Sequence, residues 1–153
     1  TLGTCGGFQH IVLEYARNVL GIKDAQHAEY DPSASSLFIS KLACSLRGRE
    51  MTLQLKAGSQ VAEIYGNSKT TERYYCSFGI APQYVGLFKS GPLQIVGSDP
   101  EGEIRVVELP GHRFFVGTLF VPQALSTASK PHPLVTAFLT EVARTEICDR
   151  LEM

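Results

Sequence analysis

The chain has 153 residues, enough for one domain with a real core. It is 44% apolar and 19% charged, with a formal net charge of −1. That balance gives no electrostatic reason to expect nucleic acid or an anionic membrane as a partner, and no apolar run approaches the ~18 residues of a spanning helix. No signal-peptide pattern is read in the chain, and its cysteine usage leads to the expectation of a cytoplasmic protein. Four cysteines (Cys5, Cys44, Cys76, Cys148) are widely spaced with no CxxC pair and read as reduced thiols. The four histidines are equally scattered, so neither a metal site nor a cofactor is expected.

Along the chain, Leu2 to Thr4 reads as the end of a strand. Phe8, Ile11, Val12, Tyr15, Ala16, Val19 and Leu20 then recur at helical spacing, with Gly21 closing the helix. Residues 22–36 are polar and turn-rich. Strands are expected at Leu37–Leu42 and Met51–Leu55, a helical turn at Gln60–Tyr65 stopped by Gly66, a strand at Arg73–Phe78 and a short helix at Gln83–Lys89. Three further strands, Leu93–Val96, Ile104–Leu109 and Arg113–Phe120, are separated by the turns SDPEG and LPGH. Residues 121–132 are irregular. A final helix over Pro133–Ile147 carries Leu134, Phe138, Leu139 and Val142 on its apolar face. The alternation of strands and helices predicts an α/β sandwich with a mixed sheet.

Gly3-Thr4-Cys5-Gly6-Gly7, at a strand-to-helix junction, has the form of a nucleophile elbow. Small neighbours suit a sharp turn that strains the nucleophile's backbone. The Gly6 amide would face a developing oxyanion, and the helix N-terminus would favour a thiolate.

The longer run GTCGGFQHIVLEYARNVLG resembles the Gly-x-Cys-x-Gly-x-Gln elbow and following helix of class I glutamine amidotransferases, most closely the glutaminase domain of CTP synthase. The resemblance continues through AEYDPSAS, MTLQLKAGSQVAEIYG, ERYYCSFG, GSDPEGEIRVVELPGHRFFVG and PHPLVTAFL, in the family's order. It implies a flavodoxin-like α/β sandwich with a mixed sheet. Residues 1–153 would form the C-terminal part of one such domain, with its N-terminal portion removed or carried on another segment. Open apolar surface would then be expected, covered by that upstream segment, by a synthetase partner or by a second copy of the chain.

In the family, the cysteine attacks the glutamine side-chain amide to give a thioester and ammonia. A histidine moves the protons and a glutamate orients it. Both lie on a Phe/Tyr-His-Pro-Glu-Phe stretch. Here that stretch is Phe120-Val121-Pro122-Gln123-Ala124, so Val121 stands at the histidine position and Gln123 at the glutamate position. The resemblance assigns Cys5 as nucleophile and the Gly6 amide to the oxyanion site. For binding a glutamine-like small molecule it implicates Gln9, Glu29 (a clamp for the α-amino group) and the stretch at Ser77 and Phe78. The family's basic run Glu-Arg-His-Arg-His-Arg-Tyr has become Glu72-Arg73-Tyr74-Tyr75-Cys76-Ser77-Phe78, and Ser77 falls where a carboxylate-binding arginine is expected.

Other histidines are poor substitutes. His10 lies roughly 140° around the helix from Cys5, and His112 lies ~30 Å from Val121 if the strand is extended. His27 reads as a solvated side chain. His132, in KPHPL, is the only plausible replacement base. Loss of the base costs ~10²-fold or more, and members of a catalytic unit fail together. Conventional glutaminase turnover is therefore not expected. The alternatives left open are a Cys5-dependent amidase acting on another small amide, a redox-active thiol protein, and an inert relic of the elbow.

Overall fold

A computed structural model describes residues 1–151, with side chains through Arg144. The elements are β1 (Leu2–Thr4), α1 (Gly6–Asn18), β2 (Gln26–His27), β3 (Leu37–Lys41), β4 (Glu50–Leu55), α2 (Gln60–Tyr65), β5 (Lys69–Arg73), β6 (Phe78–Ile80), β7 (Gln94–Ser98), β8 (Ile104–Glu108), β9 (Val116–Thr118) and α3 (Pro133–Leu151). Two 3₁₀ turns, Pro82–Phe88 and Pro122–Leu125, complete the chain.

Among the described residues the strands form two sheets. The larger has the order β1-β9-β8-β7-β4-β5 and the smaller β2-β3-β6. Both are mixed: β1 runs parallel to β9, and β2 to β3, while the other pairs are antiparallel. Helix α1 packs against β9 of the larger sheet and against β3 and β6 of the smaller one. Its apolar positions explain this, because Phe8, Val12 and Ala16 are wholly buried at helical spacing. Each large apolar side chain buried here contributes roughly 1.5–3 kcal/mol. The contact is close where α1 crosses Gly117 of β9: a Cβ there would lie 3.3 Å from the Phe8 ring.

Helix α2 is capped as its sequence requires. The Ser59 side chain accepts from the Ala62 amide at 3.1 Å, and the chain leaves the helix at Gly66 with φ 63°. The Glu108 carboxylate, buried at the end of β8, accepts from the amides of Gln60 and Val61, each at 3.3 Å. It thereby satisfies donors that a helix start leaves free.

Several sequence expectations are corrected. Arg73–Phe78 is not one strand: β5 ends at Arg73, residues 74–77 leave the larger sheet, and β6 begins at Phe78 in the smaller one. Residues 22–36 include the two-residue strand β2. The strand expected over Arg113–Phe120 is regular only at Val116–Thr118. The short helix after β6 is a 3₁₀ turn starting at Pro82. On α3, Leu134 is buried, but Leu139 and Val142 are exposed, so that helix's apolar stripe is narrower than its sequence suggests.

An apolar groove of about 560 Å³ lies along α1, and β1 is the edge strand of the larger sheet. It is lined by one flank of α1, including Ile11, Tyr15 and Val19, together with Leu93, Leu109 and Phe115. Among the described residues no helix is long and apolar enough to cross a membrane.

Candidate functional site

The parallel pair β1 and β9 places two chain ends side by side at their carboxyl edge, where open α/β sheets receive ligands. Cys5 follows β1 directly. Its amide donates to the Thr118 carbonyl at 2.8 Å, so the turn is anchored to the end of β9. Cys5 has φ 50° and ψ −108°, and among the described residues it is the one non-glycine with positive φ. Such a conformation costs of order 1–3 kcal/mol and persists only where the surroundings enforce it.

The glycines around Cys5 have different roles. A Cβ on Gly3 would run into the Ile11 side chain and lie 3.1 Å from the Gly7 backbone, so Gly3 is sterically required. At Gly6 and Gly7 nothing lies within 4 Å of such an atom, which corrects the expectation that the turn needs small residues on both sides. Those two glycines instead leave open space beside the thiol.

The side chain nearest in chemistry to Cys5 is Cys76, far away in sequence. Cys76 Sγ donates to the Leu119 carbonyl at 3.6 Å, and its side chain is also the first influence on the Cys5 thiol. The Cys76 contact holds the Cys5 thiol down at about 7, aided by the Gly6 amide and the Arg47 cation, against the opposing effects of burial and Glu29. The Cys76 thiol is correspondingly pushed up, first by Cys5 and then by burial. Sequence reading missed Cys76 as a site residue, because no local pattern signals a contact between such distant segments.

Positions named from the sequence fall around this pair. Val121 donates its amide to the Arg73 carbonyl at 2.9 Å, and Gln123 Nε2 donates to the Thr4 hydroxyl at 3.3 Å, one residue from Cys5. Gln9 is buried; its Nε2 donates to the Phe78 carbonyl at 3.0 Å, and its Oε1 lies 3.1 Å from His27 Nε2. The Glu29 amide donates to His27 Nδ1 at 3.0 Å, so His27 is neutral, with its Nε2–H facing Gln9. The expectation of a solvated His27 is therefore wrong. The ring is 1% exposed, tilted against Phe78 with centroids 5.3 Å apart, and its pKa is lowered by burial. Gln9, His27, Glu29 and Phe78 thus form one connected wall.

Opposite them, the Ser77 hydroxyl bonds that of Ser45 at 2.9 Å, and the Leu46 amide donates to the Cys76 carbonyl at 3.0 Å. These contacts bring Arg47 to the Cys5 side of the molecule. No imidazole hydrogen-bonds Cys5 among the described residues. His10 Nδ1 donates to the Gly6 carbonyl at 2.7 Å, while His112 packs its ring on Phe115. His132 is 5% exposed, with Nε2 3.1 Å from both Glu72 oxygens. Tyr65 donates to the same carboxylate at 2.5 Å, and burial with Glu72 pushes its phenol pKa up. The candidate replacement base is thus engaged in tying β5 to the start of α3. No group of His, Cys, Asp or Glu among the described residues could hold a metal ion.

This architecture has close counterparts. It matches the Trypanosoma brucei CTPS glutaminase domain with bound acivicin at TM-score 0.85 and 24% identity, over 94% of this chain and 60% of that one. A GMP synthase protein of Thermoplasma acidophilum matches at TM-score 0.62 and 15% identity, over 97% of this chain and 60% of that one. The fold is therefore the flavodoxin-like sandwich of class I glutamine amidotransferases. In sequence, the chain is 37% identical over 160 residues to CTP synthase of Porphyromonas gingivalis, a match that covers 98% of this chain. It is 34% identical over 143 residues to CTP synthase of Drosophila melanogaster, with 86% of this chain covered. It is a class I glutamine amidotransferase-like domain related to the glutaminase domain of CTP synthase. The chain spans 30% and 23% of the length of those two relatives. No family model matches the chain.

Proposed function

We propose that this domain binds a glutamine-like amino acid beside Cys5 and does not hydrolyse glutamine. The observation that supports the reading is the company of the thiol: the elbow is intact, but the side chain acting most strongly on it is Cys76, and among the described residues no imidazole hydrogen-bonds it. A thiolate can form at pH 7 in this setting, so nucleophilic attack is not what is lacking. Proton delivery to departing ammonia is. Val121 and Gln123, at the family's His and Glu positions, cannot supply it.

Binding is supported by charges of both signs that act on Cys5. Glu29 suits an α-ammonium group. Arg47 provides the cation for an α-carboxylate that Ser77, with its short neutral side chain, does not.

Incubation with glutamine and assay of glutamate tests the first half. No release above that of Cys5→Ala is expected, and Cys5-dependent turnover would overturn it. Acivicin, found on the Trypanosoma domain, is the probe for the second half. Glu29→Ala and Arg47→Ala should each weaken its binding about tenfold or more, as loss of a charged hydrogen-bond partner does.

A further inference from the structure

Cys5 and Cys76 are each anchored by contacts other than the one between their side chains. The Cys5 amide bonds the Thr118 carbonyl, and the Cys76 carbonyl accepts from Leu46 at 3.0 Å. The Cys76 thiol reaches the Leu119 carbonyl, so two consecutive residues at the end of β9 position both cysteines. Both are free thiols, Cys5 half-buried and Cys76 6% exposed. Solvent therefore reaches the Cys5 residue far more than Cys76. That asymmetry suits an attacking thiol backed by a resolving one.

We propose that Cys5 and Cys76 form a modification site for hydroperoxides, which closes to an intramolecular disulfide. The Cys5 thiolate attacks a peroxide oxygen. The O–O bond breaks, an S–O bond forms, and the departing alkoxide or hydroxide takes a proton to leave as alcohol or water. Cys5 is oxidised to the sulfenic acid and the peroxide is reduced. The Cys76 sulfur then attacks the Cys5 sulfur; the S–S bond forms, the S–O bond breaks, and the hydroxyl leaves with the Cys76 proton as water.

The pair is arranged to make the second step easier than the resting state suggests. The leading influence that keeps Cys76 protonated is its hydrogen bond to Cys5, and a neutral sulfenic acid removes the thiolate from that contact. The Arg105 cation, which favours ionised Cys76, remains. None of this rests on how the domain handles glutamine, since peroxide oxidation needs no base at Val121.

The test is hydrogen peroxide added to the reduced full chain at neutral pH, followed by intact mass and peptide mapping. The expected result is a mass loss of about 2 Da, a Cys5–Cys76 cross-linked peptide, and reversal by a thiol reductant. Cys76→Ser should instead accumulate a dimedone-reactive sulfenic acid at Cys5, and Cys44→Ser should behave as the parent. A disulfide through Cys44 or Cys148, an intermolecular link, an unoxidised Cys5, or an unchanged mass loss in Cys76→Ser would each overturn the proposal. The peptide map of the parent chain decides the matter even if a variant fails to fold.

Discussion

At the scale of single residues, the chemistry proposed for Cys5 depends on the side chains and charges around its elbow, none of which is an imidazole hydrogen-bonded to the thiol among the described residues. A thiol in water has a pKa near ~8.5 and is only a few per cent ionised at neutral pH. Here the Cys76 side chain favours the ionised sulfur, with the Gly6 amide and Arg47 assisting, and Cys5 is brought to about 7. Because these contacts stabilise the thiolate, removing the donor must raise the pKa. The rate of Cys5 alkylation by iodoacetamide should be half-maximal near pH 7 in the parent chain. Cys76→Ala should move that midpoint up, whereas Cys76→Ser, which keeps a donor, should move it less. A midpoint that ignores both substitutions would show that Cys76 does not set the reactivity. The sequence pointed to Cys5 through the elbow motif, and to Gln9 and Glu29 through the resemblance carried by that motif and by AEY. It hid Cys76 and His27, because their roles depend on contacts between segments far apart in the chain. A polar neighbourhood in the sequence is also a poor guide to a ring that folding buries.

At the scale of elements, the β7–β8 hairpin carries the most demanding electrostatics. Arg105 lies near the start of β8 and is 2% exposed. Its Nε and Nη2 donate to Asp99 Oδ2 at 3.1 and 2.6 Å, and Nη2 also reaches Glu103 at 2.6 Å. The guanidinium sits 5.7 Å over the Tyr74 ring, while its Nη1 has no hydrogen-bond partner. A buried pair of this kind adds little over an apolar replacement, but losing one partner strands a buried charge. Asp99→Ala should therefore cost about 3–5 kcal/mol, read from urea unfolding of the reduced chain. A loss below about 1 kcal/mol would mean that Glu103, the more exposed carboxylate, compensates the charge alone. The hairpin also shows where pattern reading works. Ile104, Val106 and Val107 announce a buried strand, and the SDPEG turn marks its start. The same reading merged β5 with β6, because residues 73–78 look uniformly strand-like. Tyr74 turns under Arg105 and Cys76 turns toward Cys5, and neither partner is visible in that stretch.

At the scale of the molecule, the elbow and the Cys76 segment join different parts of the architecture. Cys5 is fixed to β1 and β9 of the larger sheet, whereas residues 74–77 lead from β5 in that sheet to β6 in the smaller one. A bond between them would tie the bridge between the sheets to the start of α1. It would also close a long loop in the unfolded chain, and in the chain-entropy model that contributes ~4 kcal/mol. Strain in the native state subtracts from this figure. The Cys5 amide and the Cys76 carbonyl and thiol are each held by hydrogen bonds, so any rearrangement the bond needs works against this fixed geometry. For a chain of this length each kilocalorie moves Tm by roughly 2–4 °C. The oxidised protein, verified by mass, should thus melt about 10 °C above the reduced one, with the difference abolished by reductant and absent in Cys76→Ser. An oxidised form that melts at or below the reduced Tm would mean that the bond forms only by distorting the elbow. The strained Cys5 backbone makes this comparison informative: φ 50° is tolerated in the thiol form, and the melting shift reads how well that conformation also suits the disulfide.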